Sequence, residues 1–219
     1  MKHITFHLDF ISPYAYLAFE QLPLALQGLS YSTDYRPLLF AGLLKHHGQR
    51  GPAELPGKRE WTYRQVQWKA QAAGLTLDLP AAHPFNPLGL LRLALACGEG
   101  GRINRYVAET VFRHVWRGGA DAADPVRLQA LQQALVPARD PAGDDVKSEL
   151  RANTDAAIAA GVFGVPTLCV DDKAFWGHDA LPMLRAYLEG HPWFGSGVWE
   201  SAASLPSAVT RRSRDQNAV

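Results

Sequence analysis

The chain has 219 residues, 47% hydrophobic and 20% charged, with a formal net charge of +1. That is an ordinary globular composition with length enough for a sizeable core. The balanced charge gives no pull towards nucleic acid, no run of like charges suggests a membrane surface, and no apolar run is long enough to span a bilayer.

Residues Ile4, Phe6, Leu8 and Phe10 alternate with His3, Thr5, His7 and Asp9, which predicts a strand rather than a signal peptide. Ser12-Pro13 then opens a helix running to about Gln27. Pro13 suits its first position, Gly28 follows its end, and Pro23 is expected to bend it. Residues 29–36 are rich in Tyr, Ser and Thr and read as a second strand, parallel to the first.

From Pro37 to about Gly161 the patterns are helical: about 38–47, 61–73, 88–97, 103–116, 125–135 and 145–160, separated by Gly and Pro. Strand signals return at 165–170. Asp171-Asp172-Lys173 turns the chain, and 174–176 pairs back as a hairpin. Gly177-His178-Asp179 then opens a last helix over 180–189. The fold class is α/β, with a layered domain formed by 1–37 and 162–199 and interrupted by an all-helical insertion at 38–161. Residues 200–219, rich in Ser, Ala and Arg, are expected to be a disordered tail.

Two cysteines, Cys97 and Cys169, lie in apolar segments. They read as small buried hydrophobes, not as a disulfide or metal framework, and point to a reducing cytoplasm. His46, His47 and His114 have no metal-ligand spacing. No Gly-x-Ser-x-Gly elbow surrounds Ser12, and Pro13 stands where an oxyanion-hole N–H would be needed, so a Ser-His-Asp hydrolase does not fit.

Ser12 sits where a helix gathers unpaired N–H groups and partial positive charge. Capping alone would account for a serine there. The second reading is a partner for an anion or thiolate, which would have to arrive on a ligand because no cysteine lies nearby. Pro166, at the start of a strand, is a candidate cis proline. Asp179 could be a helix cap, Lys58 a solvated charge and Asn86 a turn former. Trp61, Tyr63 and Trp68 fall at helical spacing, which suits core as well as a ligand wall.

Ser12-Pro13-Tyr14, the segments 48–58 and 83–88, Gly161-Val162-Phe163-Gly164-Val165-Pro166-Thr167 and Phe175-Trp176-Gly177-His178-Asp179 occur in this order. The set resembles the 2-hydroxychromene-2-carboxylate isomerase family, which groups with kappa-class glutathione transferases and DsbA-like thioredoxin-fold proteins. The resemblance covers about residues 4–195. It implies a thioredoxin-like domain with a large helical insertion, forming a homodimer, with glutathione as cofactor and a small aromatic electrophile as substrate.

The family pattern implies that the Ser12 hydroxyl donates to the glutathione sulfur. Val165, before a cis Pro166, would pair with the tripeptide backbone. His178 and Asp179 would hold the γ-glutamyl end, and Lys58 would face the glycyl carboxylate. Gln49 stands where the family more often has Asn. The substrate wall is expected from the insertion: Asn86, Trp61 and Phe85, with Tyr63 and Trp116 as further candidates. Arg36, Lys45, Arg50 and Arg59 are unranked candidates for the substrate carboxylate.

The implied reaction is cis-trans isomerisation of an unsaturated aromatic pyruvate by reversible thiolate addition. A kappa-like transferase and a non-catalytic glutathione-binding module are the alternatives. Serine cannot form a disulfide with a bound thiol, which argues against an oxidoreductase.

Overall fold

Strand β1 (Lys2–Leu8) carries Ile4, Phe6 and Leu8 to full burial on one face, as the alternation predicts. His7, on the opposite face, is buried as well, so the strand is covered on both sides. In the computed structural model, which describes residues 1–206 and Ala208, β1 is central in a four-stranded sheet of order β2-β1-β3-β4. Strand β2 (Tyr31–Pro37) runs parallel to β1. Strand β3 (Thr167–Val170) runs antiparallel to β1, with His7 opposite Thr167, and β4 (Lys173–Trp176) completes the hairpin.

Helix α1 (Pro13–Ala25) connects β1 to β2. Helices α2 (Phe40–His46), α3 (Lys58–Ala72), α4 (Leu88–Ala96), α5 (Arg105–Trp116), α6 (Pro125–Leu135) and α7 (Asp144–Ala159) follow. Helix α8 (Leu181–Leu188) comes after a short 3-10 turn, His178–Ala180. Three helix starts are capped as their sequences dictate: Ser12, Asn104 and Asp124 each accept a backbone N–H from three residues on. Helix α3 begins at Lys58, earlier than the expected 61, because Gly57 at φ 78 turns the chain and the first turn, Lys-Arg-Glu, carries no apolar period.

One face of the sheet shares a single core with α1, α4 and α5, in which Phe6, Phe10, Tyr16, Phe19, Leu91, Phe112 and Trp116 pack together. The helical segment therefore contributes to the sheet's core instead of carrying one apart. On the other face Leu38, Leu43, Ala157, Val162 and Val165 form a smaller cluster beside Cys169. The cysteines are half-buried and free. The expected disordered tail is corrected at its start: Val198–Ala203 form helix α9, whose Trp199 packs against Phe175 and Phe194. Ser207 and residues 209–219 lie outside the described residues. No helix among the described residues is long and apolar enough to cross a membrane.

Trp116 ties the insertion to the β1–α1 junction. It is fully buried, and its Nε1 donates to the Phe10 carbonyl at 2.9 Å. Trp116→Ala is expected to lower the unfolding free energy by about 3–5 kcal/mol in denaturant titrations; a loss under about 1 kcal/mol would show that this contact is dispensable.

Candidate active site

The β1–β3 pairing brings the chain leaving β1 next to the chain entering β3. Ser12 and Val165 meet there. The Ser12 hydroxyl donates to the Val165 carbonyl at 3.3 Å and accepts the Ala15 N–H at 3.2 Å. Val165-Pro166 is a cis peptide, as is His83-Pro84. The Val165 N–H donates to no other group among the described residues, and the Pro166 carbonyl accepts the Gly177 N–H at 2.9 Å. Ser12 is buried, so the α1 N-terminus ends in a low-dielectric recess.

A cleft of about 770 Å³ opens over this junction. Of the ten residues singled out in the sequence, eight line it: Ser12, Gln49, Lys58, Phe85, Val165, Pro166, His178 and Asp179. They come from five separated stretches of chain. Gln49 follows α2, Lys58 is the first residue of α3, and His178 and Asp179 form the 3-10 turn after β4. A carboxylate oxygen of Asp179 lies where a side chain on Gly177 would be, 2.5 Å from an added Cβ. Gly177 also has φ 99, so the Gly-His-Asp step needs glycine twice over.

Two expected site residues lie elsewhere. Trp61 is 62% exposed on the outer flank of α3, where with Arg64 and Trp68 it borders a second groove that shares Gln65 and Lys69 with the cleft. It is neither core nor cleft wall. Asn86 is exposed, and its side chain accepts the Leu88 N–H at 3.0 Å, the turn-forming role. Trp116 is core, and Tyr63 sits behind the cleft on His83. Among the four cationic candidates for a substrate carboxylate, only Arg50 lines the cleft. Arg36 is held by Gly100 and Asn153, and Arg59 by the His83 carbonyl. The aromatic wall consists of Phe40, Phe85, Phe163 and Trp176.

The DSBA-like thioredoxin domain description matches residues 3–189. A 2-hydroxychromene-2-carboxylate isomerase from Pseudomonas sp. (strain C18) is 30% identical over 199 residues, covering 86% of this chain and 91% of the relative. The chain belongs to the 2-hydroxychromene-2-carboxylate isomerase family, within the DsbA-like thioredoxin group. A solved 2-hydroxychromene-2-carboxylate isomerase superposes with TM-score 0.73 at 24% identity, covering 94% of this chain and all of the other. Glutathione S-transferase kappa 1 of Rattus norvegicus is 27% identical over 205 residues, 85% of this chain and 90% of that one. These relatives are enzymes, and this isomerase-family member is an enzyme of the same family.

The sequence reading missed two groups beneath the cleft of this isomerase-family member. His83 Nε2 lies 2.8 Å from the Ile11 carbonyl, which can only accept, so Nε2 carries the proton. Nδ1 then accepts the Tyr63 hydroxyl at 2.9 Å. Burial lowers the His83 pKa and favours this neutral form, which holds the peptide next to Ser12. Asp9 is fully buried and accepts the Ile11 N–H at 3.1 Å and the Phe40 N–H at 2.9 Å. It joins the Ser12 turn to the first turn of α2.

Burial pushes the Asp9 carboxyl up to about 7, against the pull of its backbone donors. The folded chain therefore keeps a proton that the unfolded chain releases from about pH 4 upwards, and stability falls as pH rises towards 7. From pH 5 to pH 8 the protein is expected to lose up to about 3 kcal/mol more than its Asp9→Asn variant. Denaturant unfolding at the two pH values checks this. Parallel pH profiles for the two proteins would contradict it.

Proposed function

We propose that this protein is a glutathione-dependent isomerase of an unsaturated aromatic pyruvate, of the 2-hydroxychromene-2-carboxylate type. The observation that carries the reading is the Ser12 hydroxyl at the α1 N-terminus, facing the Val165 carbonyl at 3.3 Å. A tripeptide thiol fits this arrangement. Val165 offers an N–H and a carbonyl to an extended peptide, which is strand addition in miniature. The Ser12 proton can leave the Val165 carbonyl for a ligand sulfur, and that carbonyl is then free to accept the ligand's N–H. The Ala15 N–H keeps capping Ser12 and sharpens its hydroxyl as a donor.

Lys58 supports the same reading. A lysine in the first turn of a helix opposes the helix dipole, so its place on the cleft rim is explained by an anion such as the glycyl carboxylate. Gln49 lies on the same rim, within the family's segment for that end. Asp179 suits an ammonium group.

Bound there, glutathione would supply a thiolate that adds reversibly to the conjugated double bond, which turns as a single bond before the thiolate leaves. The protein's part is electrostatic. The α1 N-terminus and Ser12 together lower the thiol pKa by about one to two units, each worth about 1.4 kcal/mol. Arg50 takes the substrate carboxylate, and Phe40, Phe85, Phe163 and Trp176 enclose the aromatic ring.

The kappa-class relatives support a second reading, a transferase that consumes glutathione and releases a conjugate. Mass spectrometry of the product separates the two: unchanged substrate mass marks isomerisation, and an added glutathione marks conjugation. In either case Ser12→Ala is expected to cost about a hundredfold or more in turnover and only about 1 kcal/mol in stability. Near-normal glutathione-dependent rates in Ser12→Ala would overturn the assignment.

A further inference from the structure

One end of the cleft carries polar residues of α3 that lie outside the family motifs. Thr62, Gln65 and Lys69 recur along the inner flank of α3 and face Tyr14 of α1 and the His178-Asp179 turn across the cleft. Tyr14 donates to Gln65 Oε1 at 2.5 Å, and His178 Nε2 lies 2.6 Å from Gln21 Oε1. These bonds fix the neutral side chains in place, whereas the charged ones are left open.

Lys69 and Asp179 form no ion pair, with each other or with any other group, among the described residues. Both nevertheless line this end, and His178 feels the charge of each in opposite directions. Lys69 is half-buried, so leaving it unpaired in the recess costs solvation. The His178 Nδ1 is buried with no partner. Since Nε2 faces an amide oxygen it carries the proton, and the buried Nδ1 keeps a lone pair without a donor.

An opposite-charge pair held apart in one recess is complementary to a group carrying both charges on one carbon. We propose that Lys69 and Asp179 together read the α-amino acid head group of the thiol ligand, Lys69 taking the carboxylate and Asp179 the ammonium. This rests on the glutathione reading above and deepens it by making Lys69 a specificity-determining residue. Thiols without the zwitterionic head, even with a matching cysteinyl-glycine part, are then rejected because one charge stays unpaired.

The test is a binding cycle by calorimetry on the full chain. The probes are glutathione and its analogue lacking only the γ-glutamyl α-carboxylate, 4-aminobutyryl-cysteinyl-glycine. The wild type is expected to bind the analogue about tenfold more weakly or worse. Lys69→Met is expected to lose a similar factor for glutathione and to bind the two probes equally, and Lys69→Arg to restore discrimination. A general structural defect would weaken both probes alike and leave their ratio intact. Discrimination that survives in Lys69→Met overturns the role of Lys69 and leaves the glutathione reading standing. Failure of the wild type to bind glutathione overturns both.

Discussion

A helix N-terminus has donors without partners, and the loop that enters β3 has a carbonyl and an N–H outside the sheet ladder. In this fold both sets meet at one hydroxyl. Ser12 accepts from Ala15 and donates to Val165, and it has a single proton to give. The antiparallel register that sets His7 opposite Thr167 places the end of β1 beside the start of β3. The sheet therefore determines that Ser12 faces Val165, and the rest of the cleft is arranged around that junction.

The walls come from distant chain. Asp9 binds the first turn of α2 across 31 residues, and His83 holds Ile11 from 72 residues away. Trp116 anchors Phe10 from α5. Each of these contacts fixes a backbone group within three residues of Ser12, so the insertion positions the turn as well as enclosing it. Asp9 is the costly element, a carboxyl buried with backbone donors as its partners. It exchanges stability at neutral pH for a fixed relation between the α1 turn and α2.

The sheet and the Ser12 turn were legible in the sequence because their signals are local. Alternation marked β1, Ser-Pro marked the start of α1, and Val-Pro before a β-branched run marked the entry to β3. The cis state of Val165-Pro166 matches the motif reading, whereas the glycine demand at Gly177 emerges only from its φ of 99 and its contact with Asp179. What was not legible depends on tertiary rotation. Helical spacing groups Trp61 and Trp68 on one flank of α3, but it cannot say which flank faces the sheet. The packed flank is that of Val66 and Ala70, which turns the tryptophans outward and sets Lys69 between their groove and the cleft, lining both. Asp9 read as the polar end of a strand, since nothing local announces that Phe40 will cover it. Asn86 lay within a family segment, but its own neighbour, Leu88, takes its side chain.

If Ser12 and the α1 N-terminus hold a borrowed thiolate, the thiol of bound glutathione must ionise more readily than it does free. Burial raises the pKa of both Cys97 and Cys169, so the protein's own thiols stay protonated in the relevant range. The direct measurement is the ultraviolet thiolate absorbance of the glutathione complex against pH. The midpoint is expected one to two units below the ordinary value of about 8.5, and it should move back towards that value in Ser12→Ala. A bound thiol that titrates at its free value in the wild-type protein would contradict thiol activation at this helix.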